Sequence, residues 1–463
     1  MKQSFVKSIL FLALLVPTSV FATNGYWSTG YGTKSKSIAG ACVAMRFGAM
    51  CAASNPGSLV FVGNRLETGL ALFAPSRGFT ANNDMEMPPQ NYAFIPPGSY
   101  ESENDYFLIP HFAYNYELNE DSTLGIAIGG NGGMNSEYGT PGNEMFQLPA
   151  VFSAFNPSNN PDMANIPGIE EFDATSPTGI DMIQLFIGLT YSRKINEYHG
   201  IGITPILAIQ TMSVNGLEPF KMFSLHPDNV TGKGRDIAYG GGLRVGWSGE
   251  VSPGLILGAS YQTKMWMNKF DKYKGLFAEE GSFDIPANLD IGFSYKFQPQ
   301  WTFAFNYQYI FYSDVKSISN SSDIPFTSDL MNPDIAQMFG IETTSPALGA
   351  DNSIGFGWKN MGVMKFGLQW EYSPEWTLRA GYSRASDAIP DSQALFNILA
   401  PATVKDHYTF GFSHLLNNNQ EISLAATYAA NAKIYGKNPN TGPQTGFLEM
   451  DQWELELGWS KKF

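Results

Sequence analysis

The chain has 463 residues, with aromatics at 14%, glycine at 47 positions and charged residues at only 15%. Its formal net charge of −14 argues against a nucleic-acid partner, since phosphate contacts need clustered Lys and Arg. A soluble chain this long would divide into two or more domains, whereas here one pattern repeats from Arg65 to the end.

Met1 to Ala22 carries Lys2 and Lys7, an apolar core from Ile9 to Val16, and Val20-Phe21-Ala22 as a small-residue cleavage site. This predicts a secretory signal peptide over residues 1–22 and a mature start at Thr23. The core is far shorter than the ~20 residues a spanning helix needs, and no other run approaches that length. A membrane-inserted form of this chain must therefore be a closed barrel.

Residues 23–64, TNGYWSTGYGTKSKSIAGACVAMRFGAMCAASNPGSLVFVGN, are rich in Gly, Ala and Ser. They show neither strand alternation nor a long amphipathic helix. Small residues let backbone pack against backbone, so the stretch is expected to form a compact plug. Both cysteines, Cys42 and Cys51, lie in it. The periplasm permits a disulfide, but two buried thiols are equally compatible with the spacing, since a bridge needs a particular Cα separation.

From residue 65 to 463, fourteen runs alternate apolar and polar residues, as membrane strands do. They are Arg65–Phe79, Asn104–Leu118, Ser122–Gly132, Met182–Arg193, His199–Ser213, Arg235–Ser248, Gly254–Asn268, Pro286–Phe297, a ninth from Trp301, then Asn360–Tyr372, Glu375–Ser386, Lys405–Leu415, Gln420–Asn431 and Glu449–Phe463. The ninth is among the clearest: Trp301, Phe303, Phe305, Tyr307 and Tyr309 face out, and Thr302, Ala304, Asn306 and Gln308 face in. Pro205 weakens the fifth, because proline cannot donate to a ladder. Each run is near the ~9–11 residues a tilted strand needs.

Six connections are short: Asn119–Asp121, Lys194–Tyr198, Gly249–Pro253, Gln298–Gln300, Ser373–Pro374 and Asn417–Asn419. They alternate with seven longer ones, 80–103, 133–181, 214–234, 269–285, 314–359, 387–404 and 433–448. Short periplasmic turns, long outer loops and an even strand count describe bacterial outer-membrane barrels. The expected fold is thus all-β, a transmembrane 14-stranded antiparallel barrel with a small N-terminal plug in the lumen. The plug and both termini lie on the periplasmic side of a Gram-negative outer membrane.

Residues for chemistry are sparse. His111, His199, His226, His407 and His414 form no HExxH pair and no Cys/His cluster, and there is no GxSxG elbow. Neither a catalytic site, a metal site nor a cofactor is expected. His407 and His414 flank Ser413, but alternation turns His414 to the lipid. Arg244, Lys264, Lys296, Lys365 and Arg379 should point inward, where carboxylates such as Glu67, Asp290, Glu371, Glu454 and Glu456 could pair with them. Guanidinium binds carboxylate in two-pronged fashion, so Arg379 and Arg244, followed by Lys264, are the candidates to hold an acidic ligand. The loops carry apolar side chains, including Met85, Met87, Phe94 and Ile95, and then Met145, Phe146, Leu148, Val151, Phe152 and Phe155. A hydrophobic collecting groove would use these, and so would self-packing of long loops.

A signal peptide, a plug that opens with Asn24-Gly25-Tyr26 and ends near Asn55-Pro56, and fourteen strands together resemble the FadL/TodX family. The likeness is strongest in GFGWKN (355–360), WTLRAGYSRASDAIP (376–390) and FNILAPATVKDHYTFGF (396–412). One departure is Gly57, where that family usually has alanine, and a looser turn is expected there. The resemblance implies diffusive uptake of long-chain fatty acids or other hydrophobic molecules such as aromatic hydrocarbons. It implies a monomer among outer-membrane lipid and lipopolysaccharide, with Asn24, Gly25, Tyr26, Asn55 and Pro56 in the plug and gate. In that family the third strand kinks inward and leaves a gap in the wall. The stretch Gly129-Gly130-Asn131-Gly132-Gly133 resembles this feature, so Gly129, Gly130, Gly132 and Gly133 mark a lateral exit into the bilayer. The competing function is a surface barrel without transport, such as an adhesin or phage receptor.

Overall fold

Side chains two apart on a strand share a face, so the alternation after residue 65 gives each strand one apolar side. In lipid that side turns outward, and every backbone N–H and C=O must find its partner within the wall. The computed structural model describes residues 23–84, 95–139, 177–323, 330–338, 340, 342–417, 419–440 and 444–463. It shows fourteen antiparallel strands: β1 (Arg65–Ala81), β2 (Phe107–Asn119), β3 (Ser122–Tyr138), β4 (Thr178–Lys194), β5 (His199–Asn215), β6 (Asp236–Ser252), β7 (Leu255–Gln262), β8 (Asn288–Gln298), β9 (Trp301–Ile310), β10 (Met361–Glu371), β11 (Trp376–Ala385), β12 (Asp406–Asn417), β13 (Gln420–Lys437) and β14 (Thr445–Lys462). Each pairs with the next, and β14 returns to β1 from Gly446↔Ala81 to Lys462↔Arg65. The barrel is closed. No helix among the described residues is long and apolar enough to cross a membrane. The expected signal peptide, residues 1–22, lies outside the described residues.

The two faces separate as alternation requires. Leu124, Leu189, Ile291, Phe410 and Leu457 are exposed on the outside, while Asn306, Gln308, Thr409, Glu454 and Glu456 are buried within. Near the short turns Trp301 stacks on Trp370, with ring centroids 5.0 Å apart, as expected of an interfacial aromatic belt.

Several strands depart from their expected limits. The third does not end at Gly132 but runs on to Tyr138 through a bulge between Gly130 and Gly132. The seventh stops at Gln262: Thr263 still donates its N–H to the Leu243 carbonyl, but its hydroxyl, in place of its carbonyl, accepts the Leu243 N–H, and the ladder with β6 resumes at Trp266–Met267. β13 and β14 extend far above the expected hairpin and leave only residues 438–444 between them. Pro205 stays inside β5, but the β4–β5 ladder lapses beside it, between Gly188↔Ile206 and Tyr191↔Ile203. The Thr190 and Thr204 hydroxyls, 2.8 Å apart, bridge that lapse.

Residues 23–64 lie inside the wall as short turns: a helical turn at Thr33–Lys36 and 3-10 turns at Ala49–Ala53 and Pro56–Phe61. They fit because the facing wall positions lack a Cβ. A Cβ on Gly258 would stand 2.3 Å from the Val43 carbonyl oxygen, and one on Gly381 would stand 2.3 Å from the Ile38 carbonyl carbon. The small residues of the segment and the inward glycines of the strands are therefore one feature, a backbone-to-backbone contact spread around the lumen.

Candidate functional site

Polar contacts add direction to that packing. Lys36 Nζ lies 2.7 Å from both Glu454 and Glu456 of β14, and Thr33 Oγ1 donates to Glu456 at 2.7 Å. Lys34 reaches Glu421 at 2.5 Å, and Glu67 accepts the Met50 N–H at 2.9 Å. The sequence suggested Glu67, Glu454 and Glu456 as partners for wall cations. Two of them instead hold a lysine of the segment, and Lys34 and Lys36 carried no periodic signal that could have revealed this. Asn55 donates to the carbonyls of Val43 (2.7 Å) and Trp247 (2.8 Å) and accepts from Gly57 N–H (2.9 Å). Asn55 and Pro56 thus tie the segment to itself and to β6. Gly57 is not loose. A Cβ there would meet Gly200 O, Gly246 O and Trp247 Cα, each at 2.8 Å.

At its other end the segment forms part of an aromatic floor. Tyr26 packs on Tyr312 and Trp358, with centroids at 5.3 and 5.9 Å, and Trp27 packs on Phe186 at 6.3 Å. Tyr312 Oη donates to the Asn24 carbonyl at 2.6 Å. Gly25 turns with φ of +68°, and a Cβ there would stand 2.4 Å from the Tyr312 hydroxyl.

Tyr26 and Trp27 belong to an apolar core that continues toward the long loops. There a cavity is lined by Ile180, Leu217, Phe220, Phe356, Leu395, Leu399 and neighbours of the same kind. Its polar side chains are Ser317, Asn438 and Asn440, and its described lining includes no ionisable group. Ile95, one of the apolar loop residues singled out in the sequence, lines it too. The others (Met85, Met87, Phe94, Met145, Phe146, Leu148, Val151, Phe152 and Phe155) lie outside the described residues.

The wall is incomplete beside this floor. Pairing between β2 and β3 runs from Asn119↔Ser122 to His111↔Gly129 and stops. β2 continues down to Phe107 against β1, and β3 continues to Tyr138 against β4. Pro110 can donate no hydrogen bond at that edge, and the bulge at Asn131 bends the facing strand away. Asn131 turns into the lumen, where it accepts from Tyr31 Oη (2.5 Å) and donates to Gln184 (2.9 Å). Trp27 of the segment pairs with Gly132 instead, and a Cβ on Gly132 would fall 1.5 Å from the Tyr26 carbonyl oxygen. Gly129 is thus the last paired position, and Gly130, Gly132 and Gly133 border the opening. Beyond it the Glu103 N–H reaches the Glu137 carbonyl at 2.8 Å.

The structure does not bring Arg244, Lys264 and Arg379 around one cavity. Lys264 lies past the end of β7, paired with Asp284 at 2.9 Å. Arg379 donates to Gln369 (2.8 Å) and Ser413 (2.7 Å), and it stacks against Phe47 of the segment. Arg244 donates to Gln262 and lies over the Tyr31 ring. It also lines a smaller cavity with Met50, Ala127, Phe186 and Ile206. Of the other inward cations, Lys296 pairs with Glu371 at 3.1 Å, and Lys365 donates to the Thr29 carbonyl at 2.8 Å. Cys42 and Cys51 are free, buried thiols. Cys42 Sγ sits 3.0 Å from both the Ser35 and Ser54 hydroxyls, and burial pushes the Cys51 thiol up to about 12. His407 is buried in the lumen, while His414 stacks outside on Trp376 at 4.2 Å.

The toluene transporter TodX of Pseudomonas putida is similar in structure, with a TM-score of 0.62 at 18% identity over 95% of this chain and 100% of that one. A FadL homologue of Pseudomonas aeruginosa is similar with a TM-score of 0.63 at 13% identity, again over 95% and 100%. The monoaromatic hydrocarbon channel CymD gives 0.54 at 16% identity over 96% and 99%. A comparison with curated protein sequences finds no match. The family model described as outer membrane protein transport protein (OMPP1/FadL/TodX) matches residues 189–452, more than half of the chain. This chain therefore belongs to that family of Gram-negative outer-membrane β-barrels.

Proposed function

We propose that this protein is a channel for diffusive uptake of hydrophobic molecules, long-chain fatty acids or related lipophiles, with residues 23–64 as its plug. The observation that carries this is the apolar cavity, whose lining shares one hydrophobic core with Tyr26 and Trp27, in a barrel whose β2–β3 ladder breaks off at His111↔Gly129. An apolar solute gains on leaving water, and a cavity of this lining offers it that transfer without a water-filled pore. The break then serves as a lateral exit into lipid, bordered by Gly129, Gly130, Gly132 and Gly133, and the backbone of Tyr26 and Trp27 beside it acts as the gate. Neither a catalytic step nor an energy source enters, and a single barrel among outer-membrane lipid and lipopolysaccharide is the working unit. Arg244, lining the inner cavity, is the candidate among the three cations for contact with an acidic cargo. Aromatic hydrocarbons are the alternative cargo, favoured by the uncharged lining.

Cells lacking their own channel of this kind should take up radiolabelled laurate faster when they express this protein. Filling the cavity with Leu399→Trp should cut that gain about tenfold, the effect of losing ~1.4 kcal/mol of cargo binding. Undiminished uptake, with the variant shown to be inserted and folded, would overturn the assignment of the cavity.

A further inference from the structure

A second cavity lies behind the break. It is bounded by Phe73 and Arg77 of β1, Gly133, Met134 and Asn135 of β3, and Trp358. It shares no lining residue with the apolar chamber but lies close to it: Phe356 of the chamber packs on Trp358 of this niche, with ring centroids 6.3 Å apart, and Leu399 and Ala400 are consecutive. Arg77 is its only charged lining residue among those described, and its side chain is 97% buried. The guanidinium donates to the main-chain carbonyls of Asn135 and Asn104 and lies over the Phe107 ring. Those bonds leave donors over. Arg77 Nε and Asn135 Nδ2 are both buried without a partner among the described residues. The nearest carboxylate, Asp105, stands 3.8 Å from Nη2, beyond hydrogen-bond distance, and its Oδ1 on that side is buried without a hydrogen-bond partner among the described residues. A buried cation with unmet N–H groups beside an apolar chamber is costly unless something completes it. A group with two acceptor oxygens and a negative charge does so.

The geometry points to an anion niche, in which Arg77 and Asn135 take the carboxylate of a long-chain acid whose tail lies in the chamber. This rests on the chamber being the cargo site, and it assigns the head group to the exit side of the barrel. The chain would then approach the lipid with its polar end at the rim and its tail drawn after it. Arg77 carried no distinguishing signal in the sequence, because its value depends on β2 being absent beside it.

Binding of laurate and of its methyl ester to the purified full chain in non-ionic detergent separates the contributions, at about pH 8 where the acid is ionised. Asn135→Leu removes the free Nδ2 donor, together with the 3.4 Å contact that Arg77 Nη1 makes to Oδ1, and keeps the main-chain carbonyl that Arg77 uses. It should weaken laurate about tenfold, within the range for a hydrogen bond to a charged group, and leave the ester unchanged. Asp105→Asn, which keeps the shape and removes the charge facing Nη2, should tighten laurate severalfold and again spare the ester. Equal changes for both ligands, or none in either variant, overturn the niche while leaving the channel assignment standing. Failure of wild-type protein to bind either ligand overturns both.

Discussion

Gly57 sits where the wall backbone leaves no room for a methyl group. Asn55 accepts its N–H and reaches across to the Trp247 carbonyl, so the turn is clamped against β5 and β6. Overpacking such a site costs ~1–3 kcal/mol, and here the neighbours that must yield are backbone atoms. Gly57→Ala should therefore loosen the docking of residues 23–64. In planar bilayers the variant should show ion-conducting openings that the parent protein lacks, and a silent variant would mean that the turn has slack. The broader lesson of this residue is that a conformational argument for glycine, which pointed to slackness, gave way to a packing argument visible only once β5 and β6 were in place.

On the proposed route, the β2–β3 pair decides where cargo leaves. Its ladder ends at His111↔Gly129, and the strands diverge because one side carries Pro110 and the other carries an extra residue at Asn131. Ile109→Cys and Asn131→Cys, joined by a short reducible crosslinker in a Cys42→Ser, Cys51→Ala background, would bind the two edges together. Uptake of laurate should stop on crosslinking and return on reduction, relative to the same variant left unlinked. Full uptake with the link verified would send the cargo past the segment to the periplasm. Four glycines in five residues marked this place in the sequence, yet their meaning was ambiguous between the end of a strand and a bend within it. Pairing with β4 through to Tyr138 excludes the first.

Taken whole, the molecule is a barrel with a polar lower lumen and an apolar upper one. Asn306, Thr409, Glu454 and Glu456 of the wall meet residues 23–64, which supply their partners. Deleting Thr23–Val62 would expose these groups to water rather than strand them in a dry interior, so the barrel should survive the loss. It should then conduct ions and small polar solutes steadily in planar bilayers. Conductance unchanged from that of the complete protein would mean the segment does not block the pore.

Alternation of period two, the spacing of short turns and the length of each run are local properties. Strand number, antiparallel order and the facing of Trp301 through Gln308 were legible from them, because a one-residue slip would turn every apolar side chain into the lumen. The buried placement of Arg244, Lys365 and Arg379 followed from the same rule. Their partners did not, since Lys36 meets Glu454 and Glu456 across more than four hundred residues of chain. Where a strand breaks its rule, the local signal also ran out: Lys264 left the lumen register once β7 ended at Gln262. Arg77, the chamber and the opening between β2 and β3 exist only after closure. Each depends on which strands stand side by side and on which of them lacks a partner, and that is settled by the wall as a whole.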